Sequence, residues 1–348
     1  MTVKGQKRLG MLLAAGLLTI AGACGDDDGG GGATSGGAAT PAGAGESSNA
    51  TAEAVSFQFA MGSPGLSGAL LQETLARVNE KYGHDAEWVE LADSDLVVQG
   101  AAQGQFQMGS STTSSVMKVI QDGAPLTFVS ELSRNQWTLM AKNDIADCAD
   151  MDGVRLGLHS PGGVSTALYR AWYQRNCDTG VEPDELYIEG SPNRLQALLA
   201  GQVDVAMIEL EDTLDLPEGD YTMLANFTQD LRDIKVGLVY ANDGFIEEHP
   251  EVVQQVVNEL TALQKEVNED PALFEELIGE YVPETGEKTA DAVAAYLDVG
   301  MIPDDGGFLE DEVQASIDLY TEAGVLQPGL TAADVMDRTF LETALAAS

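Results

Sequence analysis

Ser63-Pro64-Gly65 returns 97 residues later as Ser160-Pro161-Gly162, and in the same ungapped register Gly104-Gln105 returns as Gly201-Gln202. The register also matches Leu71 with Leu168, Asn79 with Asn176, Gly83 with Gly180, Ser94 with Ser191 and Gln99 with Gln196. Residues 56–109 and 153–206 therefore share ten identities in 54 positions, against roughly three or four expected by chance at ordinary residue usage. The matches fall on turn and cap residues, so two distant pieces of the chain read as versions of one unit.

The first unit opens with the alternating run Ser56-Phe57-Gln58-Phe59-Ala60-Met61, a strand pattern. A helix follows from about Ser67 to Lys81, with Leu70, Leu71, Thr74, Leu75 and Val78 at helical spacing and Gly83 at its C-terminal stop. Glu87 to Leu91 reads as a second strand, Ser94 opens a helix through Ala102, and Gln105 to Gly109 reads as a third strand. The second unit repeats the order: strand Gly153 to Leu158, helix Val164 to Arg175, strand Leu186 to Ile188, helix from Ser191-Pro192, strand Val203 to Ile208. Two βαβαβ runs predict an α/β fold of two lobes, each a mainly parallel sheet flanked by helices. Val236 to Tyr240 reads as a strand returning to the first lobe. Beyond Pro250 the pattern is helical, through Val252, Val253, Val256, Val257, Leu260 and Leu263, then near Ala272 to Ile278, Ala290 to Val299, Glu310 to Ala323 and Ala332 to Leu345. The expected division is lobe 1 over 53–137 plus 240–348 and lobe 2 over 138–239. Clefts at such interfaces are where small ligands bind.

Ahead of this body stand a basic start with Lys4, Lys7 and Arg8, an apolar run from Met11 to Ile20, and Ala21-Gly22-Ala23 before Cys24. Residues 1–23 resemble a bacterial lipoprotein signal, in which the Cys, here Cys24, becomes the lipid-modified N-terminus; Ala21 departs from the Leu commonest at its position. The apolar run is too short for an ordinary membrane span. Residues 24–52 are rich in Gly, Ala, Ser and Thr and read as a disordered tether, with a root-mean-square reach of about 30 Å.

The formal net charge is −40, and removing the first 23 residues lowers the basic count from 17 to 14 against 57 acids. A surface so acidic repels polyanions, which excludes nucleic acid as a partner class. It also suits a high-ionic-strength habitat, where screening weakens self-repulsion. Two cysteines remain past Cys24. Cys148 precedes the first strand of the second unit and Cys177 closes the helix after it, so in an exported protein they are the candidate disulfide. The three histidines, His84, His159 and His249, are scattered, and no metal or cofactor is expected.

At Ala101 to Thr112 the run Ala-Ala-Gln-Gly-Gln-Phe-Gln-Met-Gly-Ser-Ser-Thr resembles the first lobe of periplasmic-binding-protein-like (type II) solute receptors of the nitrate, sulfonate, taurine and thiamine-precursor group. Asp150 to Gly163, Ala197 to Ala206 and Phe245 to Val253 are similar to that group's successive landmarks, in order, and the likeness covers Val55 to about Ala346. What the resemblance implies is a monomeric, lipid-anchored extracytoplasmic receptor without enzyme activity. It would capture a small organic or anionic solute between its lobes and deliver it to the permease and ATPase of an ABC importer. A sensory lipoprotein signalling to a membrane receptor would use the same cleft. Pyrimidine-forming enzymes of thiamine synthesis share the architecture, but they depend on a cysteine-rich iron site and a reactive histidine.

In each unit a polar turn lies at a strand's C-terminal end and a helix N-terminus, where free N–H groups favour an acceptor-rich or anionic ligand. Ser63, Gly65 and Ser67 form one such turn; Ser160, Gly162, Gly163, Ser165 and Thr166 form the other. Their hydroxyls either contact ligand or merely cap helices. Ser111 and Thr112 belong to a third hydroxyl run, Ser110 to Ser114. Its counterpart in the second unit is Glu209, which would either accept a ligand amine or ring N–H or belong to a solvated acidic loop through Glu211 and Asp212. Near the first lobe crossing, Arg134, Asn135 and Trp137 offer a cation, an amide and a stacking face, although a hinge Trp is often just packed. Arg194 is a second candidate cation. The hinges are expected near Ser130 to Trp137 and Lys235 to Tyr240.

Overall fold

A computed structural model describes residues 53–62, 64–91, 93–177 and 180–347. The signal segment, Cys24, the tether and Ser63 lie outside the described residues. In the first unit, strand β1 (Ser56–Gly62) leads to helix α1 (Ser67–Tyr82), β2 (Asp85–Leu91), α2 (Ser94–Ala102), β3 (Met108–Thr112), α3 (Thr113–Gln121) and β4 (Leu126–Ser133). The chain then crosses into β5 (Trp137–Lys142), followed by β6 (Arg155–Leu158), α4 (Val164–Asn176), β7 (Asp184–Tyr187), α5 (Ser191–Leu199), β8 (Val205–Glu209), β9 (Tyr221–Asn226) and α6 (Phe227–Asp230). It returns through β10 (Gly237–Asn242) to α7 (Asp243–Glu248), α8 (Pro250–Glu269), α9 (Pro271–Tyr281), α10 (Thr289–Asp298), α11 (Glu310–Glu322) and α12 (Thr339–Ala347).

The two five-stranded sheets have matching orders, β2-β1-β3-β10-β4 and β7-β6-β8-β5-β9. In each, four strands run one way and the crossing strand runs against them, because β10 pairs antiparallel with both β3 and β4, and β5 with both β8 and β9. The crossing strand enters from the opposite lobe and so travels back along the sheet.

Local chemistry explains the element ends. Gly83, at φ 75°, closes α1 in the left-handed region that suits glycine. The carboxylate of Asp93 accepts from the N–H groups of Asp95 and Leu96 to start α2. Pro250 stands in the first turn of α8, whose buried stripe of Val252, Val253, Val256, Val257, Leu260 and Leu263 packs into the main core.

Two sequence expectations are corrected. Gln105 to Gly109 is not the third strand; β3 is displaced toward the C-terminus, because β10 pairs with Ser110, Ser111 and Thr112. The expected polar turn is therefore strand, and α3 begins directly after it. The helix expected over Ala332 to Leu345 is broken, since Phe128 of β4 bonds to Val335 and Asp337 and bridges to Met336. Asp337 then accepts from the N–H of Thr339, where α12 starts.

Cys148 and Cys177 form a disulfide with Cα atoms 5.3 Å apart, tying the stretch before β6 to the end of α4.

Candidate functional site

A cavity of about 90 Å³ lies between the two sheets. Its wall repeats the sequence register. From the first lobe come Gly62 at the end of β1, Ser67 and Ser94 in the first turns of α1 and α2, and Ser110, Ser111 and Thr112 at the end of β3. From the second come the corresponding His159 after β6, Val164 in the first turn of α4, Ser191 in the first turn of α5 and Glu209 at the end of β8, with Ser165 beside Val164. Gln136 and Trp137 enter from the first crossing, and Val236 and Gly237 from the second.

Ser67, Ser111, Thr112, Trp137, Ser165 and Glu209 thus converge, as the sequence expects of a site. Several other candidates face elsewhere. Arg134 donates to the carbonyl of Gly300 at 3.1 Å and pairs with Asp305 at 2.7 Å, away from the cavity. Asn135 is buried and holds the crossing itself: its amide donates to Leu231 and its oxygen accepts from the N–H of Trp137. Thr166 donates to the carbonyl of Ser160 at 2.7 Å, a capping role. The carbonyl of Gly162 accepts from Ser114 of the opposite lobe at 2.9 Å. Two glycines mark close approaches. Gly65, at φ 51°, faces Glu209 and Glu211 of the other lobe, and a Cβ on Gly163 would meet Nδ1 of His159 at 2.6 Å.

The floor is an ionic cluster. Arg194 is 1% exposed; its Nε donates to the carbonyl of Met207 and one Nη to that of Ile188. Its guanidinium lies 5.2 Å from the centre of the Trp137 ring. Burial lowers its pKa to about 10. Burial, reinforced by the Asp212 charge and opposed by Arg194, pushes Glu209 up to about 7. Burial and the charges of Glu209 and Asp212 push Glu211 well above the usual carboxylate range. Asp212, which accepts from Ser191, is also raised by burial. At the rim, Glu189 pairs with His159 at 2.5 Å and accepts from the N–H of Ser94 in the opposite lobe at 3.2 Å.

Sequence reasoning missed Ser94, Ser191, Gln136, His159 and Glu189. The first two carried a signal, since they match one another in the repeat and each opens a helix after a strand. Among the described residues, no group of His, Cys, Asp and Glu is arranged to hold a metal ion.

This is the two-lobed periplasmic-binding-protein type II fold. The alkanesulfonate-binding protein of Xanthomonas axonopodis pv. citri, solved bound to MOPS, is similar with TM-score 0.66 and 19% identity, covering 83% of this chain and 100% of that one. The aliphatic sulphonate-binding protein of Escherichia coli matches with TM-score 0.63 and 18% identity over 82% and 92% of the two chains. For the nitrate-binding protein of Synechocystis the values are 0.64 and 12%, over 85% and 89%. The sequence model of the family described as NMT1/THI5 like matches residues 80–272, more than half of the chain, and the chain belongs to that family. No curated protein matches it.

Proposed function

We propose that the protein is an extracytoplasmic solute receptor, held to the membrane by a lipid on Cys24, that captures a small organic solute in the interlobe cleft without transforming it and delivers it to an ABC importer. The observation that carries this reading is the convergence of corresponding strand ends and helix starts from both lobes on one cavity. Contacts from both sides would favour a closed arrangement of the lobes about the segments 133–137 and 233–237. The structural relatives named above, which bind alkanesulfonate, aliphatic sulphonate or nitrate as their names say, support it by analogy of fold.

A thermal-shift screen of small metabolites, followed by small-angle scattering, tests the reading. A true solute at 100 times its Kd adds about 2.7 kcal/mol and compacts the protein; a screen without any stabilising solute overturns capture. Delivery is checked by uptake of the labelled solute in cells with and without the chain. Anchoring is checked with Cys24→Ala, which is expected to move the protein from the membrane fraction to the soluble one.

A further inference from the structure

Resting on the reading of the cleft as a solute site, we infer that the solute is a small organic cation with several N–H donors, an amidinium, guanidinium or primary ammonium, and not an oxyanion. Four observations converge. First, three hydroxyls of the cleft are already turned to the protein: Ser67 donates to the carbonyl of Pro64, Ser111 to that of Ser94, and Ser191 to Asp212. These three offer lone pairs rather than protons to the cleft, and the oxygen of Ser191 already accepts from the N–H of Glu209.

Second, the N-terminus of α2, where an oxyanion would bind, already faces the carboxylate of Glu189, which accepts from the N–H of Ser94. Third, the one guanidinium among the described residues lining the cavity is no open fork for an anion. Arg194 is held by two carbonyl groups and the face of Trp137, with Glu209, Asp212 and Glu189 around it. Three carboxyl groups therefore surround one cation, and the neighbouring His159 is paired with Glu189.

Fourth, acceptors and a hydroxyl lie unsatisfied at this end of the cleft. Oε1 of Gln136, which lines the cavity, and Oε2 of Glu211 are buried without a hydrogen-bond partner of ordinary geometry. The fully buried Tyr296 brings its hydroxyl against Glu211 and is equally unsatisfied. Glu209 and Glu211 from the second lobe both face Gly65 of the first. At a pH where Glu209 is ionised, a multidentate N–H cation beside it would satisfy these acceptors, while a sulfonate or nitrate would meet the Glu209 charge and leave them bare.

Calorimetry on the mature protein at pH 8 and low salt tests this, with methylguanidinium, benzamidine and choline as cation probes and nitrate and methanesulfonate as anion probes. The expected result is saturable binding of methylguanidinium or benzamidine, at least tenfold weaker binding of choline, which lacks N–H, and no anion binding. Glu209→Gln and Glu211→Gln, confirmed as folded by circular dichroism, should each weaken the cation at least tenfold. Saturable binding of nitrate or methanesulfonate overturns the assigned ligand class while leaving solute capture standing. Cation binding unchanged in both variants also overturns it. Silence from every probe overturns the class, while capture is judged separately by the metabolite screen.

Discussion

Lys235 and Glu131 are almost wholly removed from water, 1% and 0% exposed, and meet at 2.9 Å. Glu312 adds a second carboxylate to Lys235 at 2.7 Å, and Phe308 donates its N–H to Glu131. Burial pushes the Glu131 carboxyl up against the pull of Lys235. Removing one partner strands the other, so Lys235→Met should cost about 3–5 kcal/mol, read from urea unfolding; adding Glu131→Gln should recover part of it. Recovery of nothing would mean that packing, not charge, holds this corner. A pH experiment addresses Glu209. Its folded pKa, raised to about 7, makes the protonated form the favoured one. That stability is fully present below the unfolded carboxylate value of about 4.3 and is lost as pH rises through about 7. Glu211 and Asp212, both raised, act in the same sense. The unliganded protein should therefore lose about 1–3 kcal/mol between pH 5 and 8, and Glu209→Gln should flatten the profile. Ser67, Ser111 and Ser165 were singled out by turn chemistry, a local signal, and the fold brings them to the cavity wall. Arg134 was misleading, because its type suits an anion while Asp305, far along the chain, claims it.

At the scale of elements, the disulfide ties the stretch preceding β6 to the last turn of α4, closing a separation of 29 residues. The chain-entropy account gives such a loop about 3.5 kcal/mol. Cys148→Ser with Cys177→Ser should lower the stability of the second lobe by about 2–4 kcal/mol, with the first lobe less affected; hydrogen exchange resolved by segment separates the two. Equal loss in both lobes would show that they unfold as one unit. Most strands and helices of the repeats were readable from alternation, helical stripes and caps, since those signals are local. The ends of β3 and the break before α12 were not. Both follow from pairing with distant backbone, β10 in one case and Phe128 in the other.

At the scale of the whole molecule, the net charge of −40 stands out against a small number of cations, several of them in ion pairs such as Arg77 with Glu73 and Glu266, and Arg155 with Asp204. Repulsion among the remaining carboxylates should weaken the fold at low ionic strength. The urea midpoint is expected to rise steadily from 0.05 M to about 1 M NaCl, beyond which screening lengths fall to about 3 Å; an unchanged midpoint would remove the case for a saline habitat. By itself the sequence determined the repeat, hence two similar α/β lobes, and it located the strand-to-helix junctions that line the cleft. These are matters of periodicity and turn chemistry, carried within about 15 residues. Only the tertiary structure decided which polar groups meet: Glu189 against Ser94, Glu209 and Glu211 against Gly65, Arg194 beneath Trp137. The charge seen by a ligand comes from residues far apart in the chain whose donors and acceptors are partly used by one another. That accounting exists only once the lobes face each other.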